Sequence, residues 1–461
     1  MMNFKKVRLN FWQIWNMNFG FFGIQFSFGL QQSNMSAIYK YLGADEASLP
    51  MLWLAGPITG LVIQPIIGAI SDGTWSPKFG RRKPFFLIGA LISSVALIAM
   101  PFSNSIFMAA SLLWILDAAN NIAMEPYRAF VADKLPSNQY SIGFLMQSFF
   151  TGLGSTLSNF TPAILVSFGF LAITDKMNNG IPTYTYWAFF IGSFAAIVSI
   201  LISVLTTTEL PPTDQELQIM QIEKAKGNVL LRIFNDIKTA FKEMPLTMKQ
   251  LIPVKFFTWY AMFCYWQYIT GALSISLFNT SDSTTLGYNK AQMLTGNLNG
   301  TYNIICFLSA FALIPLANKL GAKIVHFLAL TLGGIGLLCI PFLNEKSIMC
   351  MLWNPFGEPI YLSTIYLYSF GLGIAWASML AMPYQLLAGS IPKGKIGVYM
   401  GIFNMFIVIP MIIQIFSMQY FVFNLLGKNP VNVVLLGGFF LIIGGVLTLF
   451  ISNKKEKEEI G

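Results

Sequence analysis

Residues Leu112 to Asp133 read LLWILDAANNIAMEPYRAFVAD, and this stretch decides the fold. It is apolar and long enough to cross a bilayer, whose hydrocarbon core takes about 20 helical residues. Yet it contains Asp117, Asn120, Asn121, Glu125 and Arg128. An ionisable residue near mid-membrane costs roughly 2.5–3.5 kcal/mol on insertion scales. A span that keeps three of them is expected to use them. On a helix, Asp117, Asn121, Met124/Glu125 and Arg128 fall at i, i+4, i+7/i+8 and i+11, so they share one face. That face is expected to line a polar cavity rather than lipid, and the cavity reads as a solute site.

The rest of the chain fits this setting. Of its 461 residues, 55% are hydrophobic and only 10% charged, against about 25% charged in a soluble globular protein. This is the composition of a polytopic membrane protein with little soluble mass. Lys5, Lys6 and Arg8 precede an apolar run, as in a signal peptide. The run lacks an A-x-A-like cleavage site and carries Asn16, Asn18, Gln25 and Gln31, so a retained first helix is expected. The four cysteines (Cys264, Cys306, Cys339, Cys350) form no short-spaced pair, which leaves no metal or disulfide framework to read. The one histidine, His326, reads as a packed or interfacial side chain.

Apolar spans fall near residues 10–39, 49–71, 84–102, 106–131, 141–171 and 184–206. Six more follow near 251–279, 291–317, 322–343, 361–388, 396–421 and 430–452. The expected architecture is therefore an all-α membrane protein of twelve transmembrane helices, with bundles at 1–208 and 251–461 joined by a linker loop at 209–250. Thr213 to Lys226 in that linker reads as a surface helix without a site. With the N-terminus inside, 22 of the 28 basic residues fall on inside segments. These include seven counted with the central loop, six within 209–250 and Lys255, which falls in the span near 251–279. Lys40, Lys176, Lys290, Lys346 and Lys428 fall outside. This bias places both termini in the cytoplasm and accounts for the net charge of +9 without a nucleic-acid partner.

The two halves repeat. Pro126-Tyr127-Arg128, Leu135-Pro136 and Gly143 return as Pro383-Tyr384-Gln385, Ile391-Pro392 and Gly397. Gly80-Arg81-Arg82-Lys83 after the second span has a worn counterpart in Lys319-Leu320-Gly321-Ala322-Lys323. Two pseudo-symmetric six-helix bundles are the architecture of the major facilitator superfamily, with a site near mid-membrane. Between the second and third spans, Gly68-x3-Asp72 and Gly80-Arg81-Arg82-Lys83-Pro84 allow close helix ends and a charge pairing. Asp72, Gly80, Arg81 and Arg82 are therefore read as a gate rather than a ligand site.

At this turn a resemblance becomes specific. The motifs are Gly23-Ile-Gln25-Phe-x3-Leu30-Gln31; Trp53-Leu-Ala-Gly56-Pro57-Ile-x-Gly60-x3-Gln64-Pro65-x2-Gly68-x2-Ser71-Asp72; and Ser76-x2-Phe79-Gly80-Arg81-Arg82-Lys83-Pro84-Phe85. With Trp114-Ile-Leu-Asp117-x2-Asn120-Asn121-x4-Pro126-x-Arg128 and Gly401-Ile-x-Asn404-x3-Val408-Ile409-Pro410, the chain resembles the sucrose–proton symporters and their animal relatives. These belong with the glycoside-pentoside-hexuronide:cation symporters. The resemblance implies that Asp117 is the proton-coupling group and that the neighbouring Asn120, Asn121 and Arg128 belong to the sugar site. Gln25, Gln31, Gln64 and Asn404, polar members of the matched motifs, are further candidate ligands. Two departures stand out. Met124-Glu125 replaces the Gln-Gly usual in plant members, making Glu125 a possible second carboxylate. The first helix also lacks the histidine of plant members.

Other polar residues line up without the family. Asn18, Gln25 and Gln32 recur every seven residues, and Gln147, Thr151, Ser155 and Asn159 step by four. Uncharged amides and hydroxyls both donate and accept, which suits a neutral polyol; interhelical hydrogen bonding is the competing reading of each. Among the aromatics Trp259, Tyr260, Tyr265, Trp266, Tyr268, Trp376 and Tyr384, an interfacial belt or packing accounts for most. Trp266 and Tyr384 are taken as candidates for the cavity.

The expected function is proton-coupled import of a neutral disaccharide, sucrose or a maltose-type α-glucoside. The alternatives are a sodium-coupled glycoside symporter and an exporter of a small hydrophobic compound. An enzyme is not expected, because the chain lacks a plausible HxxxxD or DxD pair and a phosphate-cradling loop. No cofactor or metal is expected beyond the coupling proton. The expected partners are a small neutral sugar and the lipid of a bacterial inner membrane, with the protein a monomer.

Overall fold

The computed structural model describes residues 7–77, 79–136, 139–212, 217–218, 241–344, 346–352, 360–387 and 396–452. In hydrocarbon every backbone N–H and C=O needs an internal partner, so long apolar runs fold as helices. The chain accordingly forms α1 (Phe11–Asn18), α2 (Gly20–Tyr41), α3 (Leu49–Leu52), α4 (Ala55–Asp72), α5 (Lys83–Ala99), α6 (Ile106–Lys134), α7 (Tyr140–Ser167) and α8 (Thr183–Thr206). It continues with α9 (Leu246–Phe278), α10 (Leu286–Leu320), α11 (Ala322–Cys339), α12 (Tyr366–Leu387), α13 (Ile396–Ser417), α14 (Phe423–Leu425) and α15 (Pro430–Leu449). A hairpin that the sequence reading did not anticipate, β1 (Ile348–Leu352) with β2 (Ile360–Ser363), precedes α12. The surface helix expected over Thr213–Lys226 lies outside the described residues except for Leu217 and Gln218.

Eight stretches among the described residues are long and apolar enough to cross a membrane. Helices α2, α7, α9 and α10 are not among the eight, although their 22, 28, 33 and 35 residues exceed the length needed. Their amides, hydroxyls and tyrosines lower the apolar average. These are helices whose polar side chains turn into the protein, such as the buried Gln31, Asn34, Asn159, Gln267 and Asn299.

The chain divides into two compact units, one within Met1–Gly43 and Leu54–Lys238, the other within Ala44–Trp53 and Thr239–Gly461. The division is not sequential. The short segment carrying α3 packs with the second unit, where the Trp53 ring meets Phe263 edge-on at 6.0 Å and Tyr268 Oη donates to Glu46 O at 3.4 Å. The span expected over 49–71 is accordingly interrupted at Trp53–Leu54, with Pro50 starting α3 and Pro57 in the first turn of α4.

The repeat seen in sequence is present in the packing. In the first unit α2 packs on α7 and α8, α6 on α4 and α5, and α5 on α8. In the second unit α9 packs on α13 and α15, α12 on α10 and α11, and α11 on α15. Small residues permit the closest crossings: a Cβ placed on Gly334 of α11 would meet Gly438 O of α15 at 2.6 Å.

One assignment needs correcting. Lys255, counted with the central loop, lies on α9 and is 1% exposed. Pro245 caps the start of α9, so the helix begins before the apolar run does and carries the lysine inward. Of the two readings of the neighbouring aromatics, belt or packing, burial fits packing: Trp259, Tyr260, Tyr265, Trp266 and Tyr268 are all buried.

Candidate functional site

The polar face of α6 is gathered into one cluster in the first unit. Asp117 is buried, its carboxyl lies against Gly56 of α4, and the Gln31 side chain of α2 faces it. Four residues on, Asn121 Nδ2 donates to Asp117 O at 2.9 Å and to Thr59 Oγ1 at 3.2 Å. Asn121 Oδ1 in turn accepts from Gln64 Nε2 at 2.6 Å. On the α2 side, Asn120 Nδ2 donates to Ser27 Oγ at 2.9 Å. Tyr39 of α2 is within electrostatic reach of Asp117. Asp117 forms no ion pair among the described residues. The cluster is thus a single carboxylate held among neutral amides and hydroxyls from α2, α4 and α6. The Gln31 amide N–H, buried beside the carboxyl, is oriented to stabilise its charged form.

The helix is interrupted at Phe19, between α1 and α2, and the chain bends there off the regular hydrogen-bond ladder. The Gly20 N–H leaves the helical ladder and donates to Tyr127 Oη at 3.0 Å and Ser203 Oγ at 2.9 Å. Tyr127 Oη donates to Met17 O at 2.6 Å and Ser203 Oγ to Asn16 O at 2.6 Å, so the groups freed by the bend find partners. A Cβ on Gly20 would stand 2.7 Å from the Tyr127 ring, so only glycine fits there.

The other sequence candidates spread outward from this centre. Arg128 Nη1 approaches Glu125 Oε2 at 3.8 Å, with the two side chains 50% and 35% exposed. The face expected to be uniform is therefore sealed at Asp117 and Asn121 and open at Arg128. Gln25 is half-buried against the backbone of α7 near Gly154, and Gln147 is buried with Nε2 lacking an acceptor. Asn159, stepped four from Ser155, bonds Ser33 across α2 and α7 and serves helix packing. Trp266, Tyr384 and Asn404 belong to the second unit. Trp266 Nε1 donates to Tyr302 Oη at 3.3 Å, Tyr384 is 40% exposed against Phe403, and Asn404 is half-buried on α13.

The turn between α4 and α5 forms a separate clamp. Glu209, beyond the end of α8, receives the Arg81 N–H at 2.7 Å, the Arg82 N–H at 3.0 Å and the Lys83 N–H at 2.9 Å. A carboxylate thus caps the N-terminus of α5, where unpaired N–H groups and the helix dipole favour negative charge. Gly80 has φ +80, and a Cβ there would lie 2.5 Å from Glu209 Cδ. Arg82 is buried, with Nε on Asp133 Oδ2 at 2.8 Å and Nη1 on Ser71 Oγ at 2.5 Å; Arg81 Nε reaches Ser71 O at 3.3 Å. The Asp72 side chain, named in the sequence as part of this latch, lies outside what the structure describes.

Sequence reasoning missed Ser27, Tyr39, Thr59, Glu209 and Lys255. A signal existed only for Lys255, a lone cation in the aromatic run Val254-Lys255-Phe256-Phe257-Thr258-Trp259.

Comparison with known proteins agrees with this architecture. Curated relatives include Sucrose transport protein SUT5 of Oryza sativa subsp. indica, 25% identical over 478 residues, covering 93% of this chain and 85% of the relative. The General alpha-glucoside permease of Schizosaccharomyces pombe is 25% identical over 273 residues, covering 55% and 46%. The resemblance to sucrose symporters read from the motifs is therefore matched by whole-chain similarity. Among solved structures, nucleoside transporter NupG is similar with a TM-score of 0.63 at 14% identity, covering 94% of this chain and 97% of its own. Peptide transporter POT in complex with sulfate gives 0.62 at 13%, covering 98% and 96%; at these identities the likeness is one of fold. The model of the Major Facilitator Superfamily matches residues 17–415, and the chain belongs to that superfamily.

Proposed function

We propose that this protein imports a neutral α-linked disaccharide, sucrose or a maltose-type glucoside, coupled to protons by alternating access. The observation that carries the reading is Asp117, buried without an ion pair among the described residues inside a net of neutral amides and hydroxyls. An isolated buried carboxylate is costly unless it is paired or neutralised. A proton supplies that neutralisation, so access of Asp117 to one side or the other sets when the proton loads and leaves. The surrounding Asn120, Asn121, Gln31 and Gln64 offer donors and acceptors without net charge, which suits sugar hydroxyls. The relatives named for sucrose transport and for general alpha-glucoside permeation favour the same substrate class. Arg128 is paired with Glu125, so an acidic sugar would meet no free cation in this cluster. In this reading both termini face the cytoplasm, as the distribution of basic residues favours, and the membrane is a bacterial inner membrane.

The test is uptake into proteoliposomes with a panel of sucrose, maltose and a glucuronide, with and without an inward pH gradient, in sodium-containing and sodium-free buffer. Accumulation of a disaccharide driven by the pH gradient without sodium is the expected result. Accumulation that follows a sodium gradient alone, or displacement by the glucuronide and by neither disaccharide, would overturn the proposal.

A further inference from the structure

The second unit holds a charge that the proposed function does not use. Lys255 of α9 is buried, and among the described residues its Nζ makes no ion pair. Three aromatic rings stand around it, with centroids 4.7 Å (Phe403), 5.3 Å (Tyr384) and 5.7 Å (Trp259) from Nζ. Aromatic faces attract a cation but replace only part of the hydration that an ammonium loses on burial. One turn further along α9, Trp259 is 8% exposed and its Nε1 has no acceptor. Its ring is backed by Trp376, at 5.5 Å and 72°, which fixes the indole in place.

The chemistry of this pair is one-sided. An ammonium and an indole N–H donate hydrogen bonds and accept none. The titratable neighbours are the Tyr384 phenol, whose ring is 5.3 Å from Nζ, and His326 of α11, whose Nδ1 is 2.7 Å from Ser378 Oγ; neither carries negative charge near neutral pH. A site lined by amides suits a hydroxyl, which both gives and takes. Two buried donors carrying a positive charge suit a group that only accepts. We propose that Lys255 and Trp259 form an anion site in the second unit, filled by a singly charged acceptor: a free halide or the carboxylate of a ligand. The three rings hold the ammonium, and the anion takes its hydrogens together with the indole N–H.

The experiment uses the purified full-length protein at constant ionic strength and reads thermal unfolding and tryptophan fluorescence. One arm titrates chloride against methanesulfonate, the other glucuronate against glucose. A saturable rise in melting temperature with chloride identifies a free halide, and one with glucuronate alone identifies a ligand carboxylate. In either case Lys255→Met abolishes the response, Lys255→Arg keeps it, and Trp259→Phe weakens the apparent affinity several-fold while preserving the ring. Equal responses within both pairs of solutes overturn the proposal, as does a response that survives Lys255→Met. If Lys255→Met does not fold, an unchanged affinity in Trp259→Phe overturns it instead. None of these readouts depends on sugar transport, so the outcome stands apart from that of the uptake assay.

Discussion

Helices α6 and α12 hold equivalent places in the two units, each packed on two neighbours of its own bundle and each carrying a Pro-Tyr pair near its end. Their chemistry has parted. At the repeat offset of 257 residues, given by Pro126 and Pro383, Asp117 corresponds to Ile374, Asn120 to Ala377 and Asn121 to Ser378. Tyr127 is fully buried and ties the α1–α2 bend, whereas Tyr384 is partly exposed beside Lys255. The first unit thus gathers a carboxylate with amides, and the second places an ammonium among aromatic rings. The comparison teaches that the repeated scaffold fixes which helices meet, while the side chains at corresponding positions are free to take opposite chemical roles.

The largest expected effect tests the acidic half of this contrast. Asp117→Asn keeps the shape and removes the titrating group, so proton-driven accumulation should vanish while sugar exchange across the membrane continues. Accumulation against a gradient by the variant would move the coupling role elsewhere, with Glu125 the next carboxylate to test.

The clamp at the start of α5 should respond by rate rather than affinity. Glu209→Gln leaves a neutral acceptor facing three N–H groups and weakens a charge-assisted cap. Turnover should fall by about tenfold, which is about 1.4 kcal/mol on a barrier, with the sugar dissociation constant within a few-fold. A loss of affinity by orders of magnitude would show that the clamp supports the binding cluster directly.

The two repeat tyrosines sharpen the comparison further. Tyr127→Phe removes the hydroxyl that donates to Met17 O, leaves the Gly20 N–H with Ser203 Oγ as its acceptor, and should cost about 1–3 kcal/mol of stability. Tyr384→Phe removes a hydroxyl from a partly exposed ring and should shift the melting temperature less. Equal shifts would mean that the bend does not depend on Tyr127. The smallest effect is expected from Glu125→Gln: its 3.8 Å contact with Arg128 is partly exposed and solvent-screened, so less than about 1 kcal/mol is at stake. Sugar affinity should change less than twofold in a direct binding measurement, and a larger change would bring Glu125 into the site.

Much of the architecture was legible in the order of residues. Apolar runs of about 20 residues must become helices because hydrocarbon offers the backbone no other partner. The Pro-Tyr repeat announced two related halves, and Asp117 with its asparagines declared itself because charge in a membrane span is costly. What the sequence left open depended on neighbours distant in the chain. Thr59, Ser27 and Tyr39 are ordinary residues in apolar runs, and only the packing of α2 and α4 on α6 gives them roles beside Asp117. Glu209 reads as the start of a charged linker until α5 is seen to present its N-terminus to it. Lys255 reads as one more inside charge until α9 is seen to begin at Leu246 and bury it among rings from α9, α12 and α13. Local pattern fixes secondary structure and the cost of each charge, because both are properties of the segment itself. Hydrogen-bond partners and burial are properties of pairs of segments, and those pairs exist only once the bundles have packed.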